Sequence, residues 1–167
     1  FTRDIKEIDT SHLKDGNVLI KIDYSSLNYK DALILKDGGR IVRKFPFVPG
    51  IDFSGKVVES SDDKYKKDDG VICTGFRVGE MYFGGFSQYA KVDSNFLIKN
   101  PKSISSEKSM MLGTAGFTAL QCSFAIKARE ELLLGEKVKD VLVTGATGGV
   151  GSIAVMILSK MGYDVHA

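Results

Sequence analysis

The chain has 167 residues, 43% hydrophobic and 26% charged, and its 23 basic and 21 acidic side chains leave a formal charge of +2. That length accommodates one domain or slightly more at about 100–200 residues each, and that composition excludes disordered, collagen-like and coiled-coil chains. The charges interleave, so no basic face suits nucleic acid, and no apolar run approaches the roughly 18 residues of a membrane span.

In chain order, Val18, Ile20, Ile22 and Tyr24 alternate with Leu19, Lys21 and Asp23, the period of a strand with one face inward. Further short strands are expected at 53–59, 70–74, 86–92 and 96–99. Gly38-Gly39, Pro46, Pro49-Gly50, Asp69-Gly70, Gly75, Gly79 and Gly84-Gly85 punctuate them, which predicts a strongly bent sheet or small barrel.

After Pro101 the pattern turns helical. Ser105 or Ser106 can cap a short helix through Met111, Gly113-Thr114-Ala115-Gly116 breaks it, and a second helix is expected from Phe117 to about Lys127. Residues 128–140 read as an exposed, charged connection. Val141-Leu142-Val143 then reads as a buried parallel strand leading into Thr144-Gly145-Ala146-Thr147-Gly148-Gly149-Val150-Gly151. Val150, Ile153, Ala154, Ile157, Leu158 and Met161 follow at helical spacing, Gly162 stands where that helix ends, and residues 163–167 begin another strand.

Strand, glycine turn and helix together form the first half of a nucleotide-binding unit. Glycines at 148, 149 and 151 clear side chains from the path of a pyrophosphate, and the helix start offers free N–H groups and partial positive charge. The alternative is a tight structural turn in an α/β protein. The spacing departs from plain G-x-G-x-x-G but bares the same backbone. The sugar-reading residue, expected about 20 positions after the glycines, would fall beyond Ala167. Residues 141–167 also cannot close a doubly wound sheet, so the expectation is a fragment of a chain roughly twice as long.

The segments Tyr24-Ser-Ser-Leu-Asn-Tyr-Lys-Asp-Ala-Leu33, Phe45-Pro-Phe-Val-Pro-Gly-Ile-Asp-Phe-Ser-Gly55, Val78-Gly-Glu80 with Gly84-Gly85, Gly113-Thr-Ala-Gly-Phe-Thr-Ala119 and Val143-Thr-Gly-Ala-Thr-Gly-Gly-Val-Gly151 occur in this order. Together they make the chain resemble the medium-chain dehydrogenase/reductase superfamily, and within it the YhdH/YhfP branch of quinone oxidoreductases, which includes acrylyl-CoA reductases. The resemblance implies an α/β fold: a β-rich GroES-like barrel domain at 1–113, then, at 114–167, a connecting helix and the first part of a Rossmann domain. It implies NADPH as cofactor and hydride transfer to an enoyl-CoA thioester or a quinone. It also implies a homodimer when the chain is full length. A protein that binds NADP(H) without turnover is a further alternative, since fold alone does not establish chemistry.

Residue by residue, the resemblance places Tyr29 and Asn28 at the cofactor, with Thr147, Gly148, Gly149, Val150 and Gly151 on the pyrophosphate and Thr114 and Thr118 lining the nicotinamide end. Tyr29 is also the candidate proton donor, with solvent as the other source. Zinc-dependent relatives carry Cys in the segment matching 25–31 and Gly-His-Glu matching 50–52. This chain has Asn28 and Gly50-Ile51-Asp52 there, so no metal is expected.

Several residues carry plainer readings. Tyr29 can be a core or rim aromatic, Asn28 and Asp31 can simply serve a helix start, and Asp52 can be structural. Arg40, Arg43 and Lys44 can meet the phosphates of a CoA substrate or form a solvated face. Cys73 and Cys122 are expected to be buried, unreactive thiols. His12 and His166 lack the partners of a hydrolase triad. The expected setting is the cytoplasm.

Overall fold

The computed structural model describes residues 2–13, 16–37, 40–132 and 138–167, the side chains of Asp37 and Glu131 excepted. Two compact units divide the chain, Phe1–Thr114 and Ala115–Ala167. The Gly38-Gly39 turn signal and residues 133–137 of the expected connection lie outside the described residues.

The first unit is built on five strands, β1 (Val18–Tyr24), β2 (Asp52–Ser60), β3 (Gly70–Thr74), β4 (Tyr89–Val92) and β5 (Leu97–Lys99), with helix α1 (Tyr29–Asp37) after β1. They form an antiparallel sheet in the order β4-β1-β2-β3-β5. The described strands leave β4 and β5 as edges of an open sheet rather than closing a barrel. The alternation read at 18–24 is real where it matters: Val18 and Ile20 are fully buried, and the strand emerges by Tyr24. Val18, Ile20, Phe53, Val57, Val71, Cys73, Val92 and Leu97 form the core, each large apolar side chain contributing about 1.5–3 kcal/mol by leaving water.

Two expected boundaries shift. The strand read at 86–92 begins only at Tyr89: the Gln88 carbonyl still accepts from the Ile22 N–H at 2.9 Å, but the Phe86 N–H donates to the Pro49 carbonyl at 2.9 Å instead of joining the ladder. Helix α2 (Ser106–Leu132) is two helices meeting at a kink, as the sequence indicated, but the break between them is shorter than the expected Gly113–Gly116. Its interruption is the single residue Gly113, at φ 51° and ψ −154°. The helix also extends past Lys127, which shortens the expected connection; its last turns carry Ala128, Arg129 and Glu130, all compatible with helix.

Cys122 corrects another expectation, since it is exposed. The buried stripe of α2 beyond the kink is narrow, running through Gly116, Ala119 and Ser123, and Cys122 falls to one side of it. The part of α2 from Ser106 to Glu130 is also long and apolar enough to cross a membrane by length and composition, which no single run of the sequence suggested. Buried core helices of soluble proteins meet the same criterion.

In the second unit, β6 (Asp140–Leu142) pairs in parallel with β7 (Asp164–His166), and α3 (Gly149–Lys160) connects them and packs on β7. This is a βαβ unit. Ala154 and Leu158 are the buried points of α3, Val150 on the same stripe is exposed, and Gly162 at φ 92° ends the helix as the sequence indicated.

Candidate active site

Two of the first unit's candidate residues, Asn28 and Thr114, meet at one buried carboxylate. Asp52, at the start of β2, is fully buried. Its Oδ1 accepts from the Ser26 N–H at 3.0 Å and the Ser26 hydroxyl at 2.7 Å. Its Oδ2 accepts from the Asn28 amide at 3.1 Å, the Thr114 N–H at 2.8 Å and the Thr114 hydroxyl at 2.7 Å. Burying a charge is costly unless donors replace its water, and here the segment after β1 and the resumption of α2 after its kink supply them. Gly113 makes the approach possible: its positive φ suits glycine, and a Cβ there would lie 2.7 Å from Ser26 Oγ.

Asn28 and Asp31 divide the start of α1 between them. The Asn28 carbonyl accepts the first helical bond, from Ala32 N–H at 3.2 Å, and the Asp31 carboxylate reaches back to the Asn28 N–H at 2.9 Å, as the acidic residue of a capping box does. The other Asp31 oxygen accepts from the Ile51 N–H at 3.0 Å, which ties α1 to the segment before β2. Burial pushes the Asp31 carboxyl above its ordinary range, and the hydrogen bonds from Asn28 and Ile51 offset only part of that. Asn28 therefore does not cap the helix through its side chain. Its amide serves Asp52 and Ser26 instead.

Tyr29 is 81% exposed, which removes the core-aromatic reading, and among the described residues its hydroxyl has no hydrogen-bond partner. Next to it, Lys30 pairs with Glu80 at 2.8 Å, fixing the start of α1 to the turn after β3. Arg40, Arg43 and Lys44 are exposed.

The second unit holds the glycine turn. Gly148 caps α3 with no side-chain acceptor, so the first N–H groups of the helix lack the partner that Ser, Thr or Asp would give them. The glycines fall into two kinds. A Cβ on Gly151 would lie 2.2 Å from the Gly145 carbonyl oxygen, so the fold itself demands glycine there. A Cβ on Gly148 would meet only the Gly145 oxygen at 3.3 Å, and one on Gly149 only the Ala115 Cβ at 3.3 Å. Neither has a positive φ. Protein packing accounts for glycine at 151 and much less for 148 and 149, whose bare, exposed backbone leaves room for a ligand anion at a helix start. Thr147 is exposed beside them and Thr118 is half-buried on α2.

Among the described residues no three His, Cys, Asp or Glu side chains lie close enough to hold a metal ion. Asn28, Tyr29 and Thr114 stand out in the sequence, whereas Ser26 does not and Asp52 has a structural reading open to it. The signal was present in the Ser-Ser-Leu-Asn and Pro-Gly-Ile-Asp segments, yet only tertiary structure joins residues 26 and 52.

Residues 14–102 match the alcohol dehydrogenase GroES-like domain. The chain belongs to that family. With the acrylyl-CoA reductase AcuI of Ruegeria pomeroyi it shares 47% identity over 163 residues, 98% of this chain and 48% of that protein. The yhdH oxidoreductase of Salmonella enterica, solved in complex with NADP, superimposes with a TM-score of 0.90 at 42% identity, over 97% of this chain and 49% of that one. Bacillus subtilis YhfP, provisionally named a quinone oxidoreductase and solved with NAD bound, gives a TM-score of 0.86 at 46% identity, over 97% of this chain and 48% of that one. The chain thus spans about half the length of the relatives it matches. In this chain the βαβ unit follows the GroES-like domain.

Proposed function

We propose that this chain is part of an NADPH-dependent, zinc-independent reductase that transfers hydride to the activated C=C of an enoyl thioester of the acrylyl-CoA type. The observation that carries the reading is the glycine turn at the start of α3: two glycines, Gly148 and Gly149, that the fold requires far less than Gly151, beside helix N–H groups left without a cap. An anionic diphosphate satisfies both features. The likeness to NADP-bound YhdH supports NADPH, and the NAD-bound YhfP structure leaves NADH as the cofactor to exclude by experiment.

In this reading, residues 1–113 are the catalytic domain and 114–167 the connecting helix and beginning of the dinucleotide domain. Thr147, Gly148, Gly149, Val150 and Gly151 hold the pyrophosphate, and Asn28, Tyr29, Thr114 and Thr118 line the nicotinamide end. When bound, the cofactor supplies the hydride. The chain's own residues fix its position and exclude alternatives to it. In this reading Tyr29, exposed and without a hydrogen-bond partner among the described residues, donates the proton that completes reduction, with solvent as the other source. With Asn28 and Gly50-Ile51-Asp52 where zinc-dependent relatives carry their ligands, this reading assigns the reductase an acceptor that is already electron-poor, which a conjugated thioester is. The protein would work in the cytoplasm as a homodimer.

Adding acrylyl-CoA to the full-length protein and following loss of NADPH absorbance tests the reading. Turnover with the thioester is expected. The likeness to YhfP favours a quinone as second acceptor, and turnover with a benzoquinone but not the thioester would select it. Saturable NADPH binding with no turnover on either acceptor would leave a nucleotide-responsive binding protein.

A further inference from the structure

The amide of Asn28 has one orientation that its neighbours allow. Its nitrogen lies 3.0 Å from Ser26 Oγ and 3.1 Å from Asp52 Oδ2. A carboxylate accepts and cannot donate. The single Ser26 hydroxyl proton is directed at Asp52, whose two oxygens both stand 2.7 Å away, so towards Asn28 this hydroxyl also acts only as acceptor. Both amide protons are therefore in use. Asn28 Oδ1 is left as the unpaired end of the side chain, without a hydrogen-bond partner among the described residues, on a partly exposed residue next to Tyr29.

Asp52 is suited to this in a way asparagine would not be. Ser26 N–H, Thr114 N–H and the Thr114 hydroxyl all point donors at its two oxygens. An amide at 52 would bring its own protons against one of those groups, and the Asn28 amide would gain a reason to turn over.

We propose that Asp52 is a positioning residue for nicotinamide-nucleoside binding, holding Asn28 so that its side chain presents an obligate hydrogen-bond acceptor to a donor group of the cofactor. The proposal rests on the dinucleotide reading above. Two cofactor groups have the required chemistry, the carboxamide N–H and a ribose hydroxyl.

Calorimetric titration of the full-length protein distinguishes the outcomes, using NADPH, its 3-acetylpyridine analogue, which lacks the carboxamide N–H, and adenosine 2′,5′-bisphosphate as the adenosine half alone. Asn28→Ala is expected to weaken NADPH about 5- to 10-fold, the worth of one hydrogen bond, and to leave adenosine bisphosphate unchanged. Asp52→Asn is expected to give the same selective loss, and the double variant no further loss. If the two losses multiply, Asp52 does not act through Asn28 and the proposal is overturned. Should Asp52→Asn fail to fold, Ser26→Ala replaces it: it removes one acceptor from the Asn28 amide, its loss is expected to be selective for NADPH, and that loss must vanish in the Asn28→Ala background. If Asn28→Ala binds the acetylpyridine analogue as tightly as the unsubstituted protein does, the donor is the carboxamide; if it loses equally on both coenzymes, the donor is a ribose hydroxyl. Unchanged NADPH affinity in Asn28→Ala overturns this proposal alone. An unsubstituted protein that binds no NADPH overturns the dinucleotide reading and this proposal with it.

Discussion

The Gly145 carbonyl oxygen stands where a Cβ on Gly151 would come within 2.2 Å of it, while the same oxygen is 3.3 Å from a Cβ built on Gly148. The two glycines of one turn therefore answer to different demands, and substitution separates them. Gly151→Ala must open the turn and tilt the first N–H groups of α3, so it is expected to lower both stability and NADPH affinity, the latter by ten-fold or more, about 1.4 kcal/mol. Gly148→Ala puts its methyl 3.3 Å from the same oxygen, a tight contact that a shift of a few tenths of an ångström relieves, so it is expected to cost clearly less stability than Gly151→Ala. It should nevertheless weaken NADPH, because its methyl group occupies the cradle. Parent-like NADPH affinity in Gly148→Ala would show that the diphosphate does not sit there.

The elements that sequence periodicity exposed are those with one face in a core. β1 shows it in Val18 and Ile20, and α3 in Ala154 and Leu158, because burial there repeats at the period of the element itself. The Asp52 cluster has no such period. Ser26 and Asn28, Asp52, and Thr114 come from three places in the chain, and nothing local to residue 52 announces that its carboxylate will be met by donors from residues 26 and 114. Cys122 failed for a related reason: helix position alone does not tell which side a narrow buried stripe will take, and the stripe through Gly116, Ala119 and Ser123 passes it by. The kink at Gly113 was legible as a break but not as a one-residue break, since Thr114, Ala115 and Gly116 resume helical geometry once Asp52 holds the Thr114 N–H.

The core of the GroES-like domain depends on Phe53, the largest fully buried side chain of the first unit. Phe53→Ala removes its burial and leaves a cavity between the central strand and its neighbours. The expected cost is about 3–5 kcal/mol, read as a shift of the urea midpoint with unchanged slope. A loss below about 1 kcal/mol would mean that the sheet collapses around the gap far more freely than close packing allows.

The two thiols should react very differently. Burial pushes the Cys73 thiol up to about 12, with the Asp52 charge adding to the shift, and its side chain is fully enclosed. Cys122 is exposed. Iodoacetamide in mildly alkaline buffer should therefore modify one cysteine of the native protein, mapped by mass spectrometry to Cys122, and both after denaturation. Native-state labelling of Cys73 at a comparable rate would contradict the packing of β3.

Asp31 gives stability a pH dependence of opposite sign to that of most paired carboxylates. Its carboxyl is raised above the ordinary value of 3.8 in the folded chain, chiefly by burial, with the Asp52 charge contributing least. A raised acid is protonated more readily when folded, so its contribution grows as pH falls through the folded value and is complete below 3.8. Above that window, ionised Asp31 costs stability relative to the unfolded chain. Asp31→Asn cannot titrate, and one of its amide faces must meet the N–H of Asn28 or of Ile51. It should be less stable than the parent by about 1–3 kcal/mol near neutral pH. Urea midpoints of both proteins, measured in steps from neutral pH to below 3.8, should show the parent's advantage widening on acidification. An advantage that shrinks over the same steps would mean that the hydrogen bonds from Asn28 and Ile51 outweigh burial and that the carboxyl titrates below its ordinary range.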